Sequence, residues 1–173
     1  MKLFVMGIVA SGKTTYAKKL SAQLGLPFVE LDSVVYHEKE GQRVRRSPED
    51  QMELIREIDR SGGWVMEGVY RPSYHALFDM ADAIIWLDPP LNKRRYRIFR
   101  RHVKQVLGIE ACAYKPDFQM LVNMYKWTED FERKRPVLQE YLKPHRRKVI
   151  TVKGDPWLDG ELKDLLNLNE CYK

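Results

Sequence analysis

The segment Gly7-Ile8-Val9-Ala10-Ser11-Gly12-Lys13-Thr14 constrains this chain more than any other. It joins an apolar run, Leu3-Phe4-Val5-Met6, that reads as a short buried strand to a stretch from Lys13 to Leu24 that reads as a helix. Two glycines five residues apart, then lysine and threonine, between a strand and a helix form a phosphate-cradling pattern. Gly7 and Gly12 permit conformations and close approaches that a Cβ would block. Successive N–H groups and the helix N-terminus then point at phosphate oxygens. Lys13 brings a point charge to the β- and γ-phosphates, and Thr14 offers a hydroxyl to the Mg²⁺ that bridges them. The expected ligand is a nucleoside triphosphate, ATP with Mg²⁺, held by Gly7, Ala10, Ser11, Gly12, Lys13, Thr14 and Thr15.

The rest of the chain repeats the alternation of strand and helix. Phe28-Val29-Glu30-Leu31, Trp64-Val65-Met66, Ala83 to Leu87 and Lys148 to Val152 read as four further strands. Ser47-Pro48-Glu49-Asp50 is a helix start, with an N-cap serine, proline at the first helical position and acids in the first turn. Residues 37–46 are polar and read as a mobile loop. A helix is expected from Asp117 to about Arg133, interrupted at Pro136, and a last one near Leu158 to Leu168. Apolar strands without alternation suit a parallel sheet covered on both faces, so the expected fold is a doubly wound α/β domain. Ligands in such sheets sit beyond the strand C-termini, where Gly7, Asp32, Glu67, Asp88 and Gly154 fall.

At 173 residues the chain fits one domain. Its longest uninterrupted apolar run is the five residues Ala83 to Leu87, which excludes a membrane-spanning helix. Only Cys112 and Cys171 occur, in no metal-binding spacing, which points to a reducing, cytoplasmic setting. The net charge is +6, and from Pro89 to Ile109 there is no acid among Lys93, Arg94, Arg95, Arg97, Arg100, Arg101 and Lys104. On a helix, six of these seven share one face, while Tyr96, Phe99, Val103, Val106 and Leu107 fall beside them and are expected on the core. The basic stripe fits either a solvated face or a surface for an anion: a nucleotide, a phosphorylated substrate or nucleic acid.

Val65-Met66-Glu67-Gly68-Val69-Tyr70-Arg71 resembles the adenylate-kinase segment in which an acid–glycine pair follows a strand and an arginine closes it. Leu87-Asp88-Pro89-Pro90, followed by Arg97 and Arg101, resembles the same family's entry into its lid. Leu31-Asp32 with Tyr36, Trp64 to Gly68, Trp127 and Arg135-Pro136-Val137-Leu138 are similar to the adenylate-kinase-like proteins labelled DNA-topology-modulation (FlaR-type). The resemblance spans roughly residues 1–155. It implies a three-layer P-loop NTPase fold, with a five-stranded parallel sheet and a helical lid near 93–135, in a single kinase-like domain over 1–173. Two departures stand out: Glu67 replaces the usual aspartate, and Tyr70 replaces the proline before the arginine.

Each remaining candidate carries two roles. Glu67 holds Mg²⁺ through water or caps a turn. Asp32 accepts a proton from an acceptor hydroxyl or bonds local N–H groups. Arg71 clamps an acceptor phosphate or forms a surface ion pair. Arg97 and Arg101, one turn apart, reach the triphosphate on lid closure and spread its transition-state charge. Arg133 to Arg135 are explained by the dipole of a helix C-terminus, and Trp127 reads as core. The leading expectation is an ATP-dependent phosphotransferase acting on a small-molecule or nucleotide acceptor. The second is a nucleic-acid-associated ATPase or regulator using the basic stripe and Arg43 to Arg46.

Overall fold

The computed structural model describes residues 1–39, 41–110 and 116–155; Cys112, Cys171, Trp157 and the helix expected near 158–168 lie outside them. In chain order the elements are β1 (Lys2–Met6), α1 (Lys13–Leu24), β2 (Phe28–Glu30), α2 (Leu31–Val35), β3 (Tyr36–Lys39), β4 (Gln42–Arg45) and α3 (Pro48–Arg60). They continue with β5 (Trp64–Gly68), α4 (His75–Met80), β6 (Ala83–Leu87), α5 (Leu91–Val106), α6 (Phe118–Leu142) and β7 (Val149–Val152). The five expected strands form one sheet in the order β2-β5-β1-β6-β7, every pair parallel.

Alternate residues of the central strands serve two cores. Leu3, Val5, Val65, Ile85 and Leu87 pack with Tyr16, Ala17 and Leu20 of α1. Phe4, Met6, Trp64, Met66, Ile84 and Trp86 face the other way, onto Ile55 of α3, Phe78 of α4, and Leu138 and Leu142 of α6. A strand buried on both faces has no polar side, which is why these segments read as unbroken apolar runs. Each fully buried large side chain contributes about 1.5–3 kcal/mol. The helices outside and the sheet between make the three layers. Among the described residues no helix is long and apolar enough to cross a membrane.

Four expectations about the elements fail, three of them for a physical reason. Residues 37–46 are not a mobile loop. They form an antiparallel hairpin, β3 on β4, with Tyr36 opposite Arg45. Arg46 ties it down: Nη1 donates to the carbonyls of Ser33 (3.0 Å), Val34 (2.9 Å) and Tyr36 (2.9 Å), which end α2. Helix α6 does not stop near Arg133 but continues through Pro136. The proline removes one rung, and burial of Leu138 and Leu142 beyond it keeps the last turns helical.

The third failure is α5. Tyr96, Phe99, Val103, Val106 and Leu107 are not on the core; their exposures run from 38% to 65%. The inward face carries Arg94, Ile98 and Gln105 instead. Arg94 is buried because its charge is met there: Nε donates to the Pro89 carbonyl at 2.9 Å and Nη2 to Glu132, with the Phe131 ring 5.7 Å away. The side of the molecule that α5 covers is polar, so its polar face is the one buried. Trp127, expected in the core, is half-exposed.

Candidate active site

The loop from Gly7 to Thr14 leaves the C-terminal end of β1, the central strand, and runs into α1. A Cβ at Gly7 would stand 2.5 Å from Ser11 Oγ and 2.9 Å from the Leu87 carbonyl, so the tight approach requires glycine. Gly12 is left-handed (φ 96°), and so is Ala10 (φ 60°), the one described residue other than glycine with positive φ. The N-terminus of α1 has no side-chain cap and no acid in its first turn. By contrast, Ser47 caps α3 and Asp117 caps α6, each accepting a backbone N–H. Helix α1 alone of these three leaves its first amides for an outside anion.

Across the loop stands Glu67, the fourth residue of β5, 1% exposed. Thr14 Oγ1 donates to its Oε1 at 2.9 Å, and Lys13 Nζ lies 3.9 Å from Oε2. At that distance the lysine supplies charge but no hydrogen bond, so buried Oε2 has no donor. Burial is the largest influence on this carboxyl and raises its pKa; Lys13 and Thr14 lower it, while Glu30 and Asp32 raise it again. A buried acid beside a hydroxyl, with one unfilled oxygen and other acids near, fits a divalent cation. The residues present therefore suit a Mg²⁺–triphosphate.

The acceptor-side pair meets as well. Asp32, second residue of α2, and Arg71, after β5, form an ion pair at 3.2 Å. Its position follows from Gly68, where a Cβ would come within 2.9 Å of the Leu31 side chain, so α2 lies directly on β5. Arg45 on the hairpin belongs to the same neighbourhood, for its charge and those of Arg71 and Asp32 all act on buried Tyr74. The sequence marks Arg45 only within the basic run Arg43 to Arg46, because the hairpin that carries it has no motif.

The two arginines expected in a lid part company. Arg97 Nη1 donates to the carbonyls of Ala10 (3.2 Å) and Ser11 (3.0 Å), gripping the loop from outside. Arg101 points to Glu110 at 3.2 Å. Val9 and Ala10 also pack against Ile98, Leu121 and Met124, so α5 and α6 close over the loop through apolar contact too. The basic stripe is thus no continuous surface: Arg94 is buried and Arg97 is turned onto the loop.

Arg135 is not a terminal cation either. Within α6 it makes a two-pronged contact to Asp88, with Nη2 at 2.9 Å from Oδ1, and Nε bonds Glu132 at 3.0 Å. These contacts raise the Arg135 pKa, Asp88 foremost, and Arg135 leads in lowering that of Glu132. Asp88 follows β6 directly, and its own N–H donates to the Val152 carbonyl at 2.8 Å. The network joins the end of the sheet to α6.

Comparison with known proteins agrees with this geometry. No protein-family model matches the chain. A cytidylate kinase from Methanobrevibacter smithii is 33% identical over 119 residues, which cover 61% of this chain and 67% of that protein. The shikimate kinase of Acinetobacter baumannii, solved with shikimate, superposes with a TM-score of 0.56 at 17% identity, over 99% of this chain and 94% of that one. The second likeness concerns the fold; the first concerns ancestry. With its phosphate loop opening off the central strand of a parallel sheet, this chain belongs to the P-loop kinases.

Proposed function

We propose that the protein transfers the γ-phosphoryl group of ATP to an anionic, nucleotide-like acceptor, a nucleoside monophosphate. The observation that carries this reading is the Arg71–Asp32 pair at 3.2 Å. Arg71 puts a cation suited to a phosphate beside Asp32, the carboxylate that would serve as base toward a neutral hydroxyl. A phosphate acceptor needs no such base, and its oxygens compete directly for Arg71. The cytidylate kinase relative puts cytidine monophosphate first among the candidates.

In this reading the acceptor's phosphate oxygen attacks the γ-phosphorus in line. The bond from that phosphorus to the β,γ-bridging oxygen breaks, and ADP leaves. The loop amides and Lys13 hold the β- and γ-phosphates, while Arg97 and Arg101, once released from the Ala10 and Ser11 carbonyls and from Glu110, would spread the developing charge. Mg²⁺ would be held by Thr14 and Glu67, and when bound it neutralises charge between the two phosphates. Within the family we set the chain beside the FlaR-type proteins on Leu31-Asp32, Trp127 and Arg135-Pro136, a likeness that names no acceptor.

The test is incubation with ATP, Mg²⁺ and a panel of nucleoside monophosphates, nucleosides and sugars, with product resolved by anion-exchange chromatography. Nucleoside diphosphate formed from a monophosphate is the expected result. Phosphorylation of a neutral hydroxyl alone would reassign Asp32 as the base. Transfer only to water would end the reading.

A further inference from the structure

A ring of hydrogen bonds closes behind the Arg71–Asp32 pair. Gln51, the fourth residue of α3, is buried, and both ends of its amide are used. Oε1 accepts from the Tyr74 hydroxyl at 2.9 Å, and Nε2 donates to the Arg46 carbonyl at 2.8 Å. From Tyr74, also buried, the backbone N–H donates to the Arg71 carbonyl at 2.9 Å across the single turn Pro72–Tyr74. From Arg46, the backbone N–H donates to the Val35 carbonyl at 2.8 Å, and the guanidinium holds the carbonyls of Ser33, Val34 and Tyr36. Those carbonyls belong to α2 and the residue after it, and Asp32 is the second residue of α2. The ion pair at 3.2 Å completes the circuit.

The pair and the ring differ in how firmly they hold. Asp32 is exposed and Arg71 half-buried, and an ion pair in contact with water fixes its partners weakly. Gln51 and Tyr74 are shut away from water, where a broken hydrogen bond has no solvent to replace it. The Arg46 guanidinium meets carbonyls that the end of α2 leaves without a partner inside the helix. We propose that Gln51 is a positioning residue for the acceptor, an assignment that rests on the anionic acceptor proposed above. Through Tyr74 and Arg46 it sets the spacing of Arg71 and Asp32, and keeps that spacing when an acceptor phosphate draws Arg71 from the carboxylate. Glutamine suits the place because one side chain must accept from a phenol and donate to a carbonyl. An ionised glutamate has no donor for the Arg46 carbonyl, and leucine serves neither partner.

Steady-state kinetics with cytidine monophosphate and ATP, each varied in turn, read the effect. Gln51→Leu should raise the KM for the monophosphate roughly tenfold or more, with the KM for ATP within about twofold of wild type. On an Arg71→Ala background the same change should move the monophosphate KM by less than about threefold, because the spacing acts only through Arg71. A ring that serves stability alone leaves both KM values in place wherever the variant is folded, and that result overturns the proposal. An equal effect with and without Arg71 overturns it too. Tyr74→Phe opens the ring at its next bond and should act in the same direction, about threefold; it takes the place of Gln51→Leu if that variant does not fold. Circular dichroism and ATP affinity report folding. Should wild type phosphorylate no monophosphate, the acceptor reading falls by itself, and nuclear magnetic resonance still tests the ring. The Arg71 Nε–H signal, identified by its loss in Arg71→Lys, should move in Gln51→Leu while the Lys13 and Thr14 amide signals stay. An Arg71 signal that does not move overturns the proposal.

Discussion

Two acids close the strands on either side of β1, at the same end of the sheet, and differ in what surrounds them. Glu67 on β5 is 1% exposed and Asp88 after β6 is 8% exposed, so burial hardly separates them. Asp88 receives both prongs of Arg135, which Glu132 holds from the other side. Glu67 receives one hydroxyl and a lysine beyond hydrogen-bond reach, and one oxygen is left over. A saturated carboxylate is finished as structure, and a second cation would gain little there. An unsaturated one carries a desolvation penalty that only a further positive charge removes. The difference separates the acid that fastens α6 to the sheet from the acid we propose for the metal.

The comparison breaks most readily at Glu67. Glu67→Gln should lower kcat by about a hundredfold or more, on the scale seen when a preorganised charge is removed. The same change should stabilise the ligand-free protein at neutral pH, because it removes a buried charge. The sign follows from the raised pKa. As pH climbs past the ordinary value of 4.5, the unfolded chain gives up its proton first and the folded chain keeps it, so wild-type stability falls through that window. The advantage of the glutamine should therefore vanish near pH 4 and appear above it, as read by urea unfolding across pH.

Asp88→Asn should do the reverse. It leaves Arg135 short of its main partner and should cost about 3 kcal/mol of stability in chemical denaturation, with nucleotide affinity largely kept. Asp88→Asn combined with Arg135→Met should recover much of that loss. If the single Asp88 variant were as stable as wild type, the contrast between the two acids would be lost.

Arg71→Ala sharpens the acceptor side. Loss of a charge-assisted contact should raise the KM for the acceptor roughly tenfold to a hundredfold, with the KM for ATP little changed. Steady-state kinetics with each substrate varied in turn separates the two. The smallest effect belongs to Ala10→Gly. The left-handed backbone at Ala10 is strained for any residue with a Cβ, so glycine should add about 1 kcal/mol of stability and leave both acids as they are.

The sheet and the phosphate loop were legible because their signals are local. Short apolar runs mark strands buried on both sides, and Gly7 to Thr14 carries its own geometry. Ser47 also ended up as the cap its neighbours indicated, accepting the Asp50 N–H at 3.0 Å. What failed depended on distant partners. Asp88 and Arg135 are 47 positions apart, and nothing near either one announces the other. Amphipathicity told which residues of α5 would share a face, but not which face would turn inward. That was decided by the polar ground under the helix: Glu132, the Pro89 carbonyl and the loop carbonyls. The hairpin over 36–45 escaped notice because one arginine and three carbonyls order it, and hydropathy is blind to such bonds.

Gly68 links the two halves of the candidate site. Its carbonyl accepts the N–H of Gly7 at 3.3 Å, while its bare Cα abuts Leu31, the residue before Asp32. One methyl group added there would press on the Leu31 side chain and so on α2, shifting Asp32 with no atom of Asp32 or Arg71 altered. Volume at position 68 would therefore be a tuning screw for the acceptor site we propose, reachable by a single codon change.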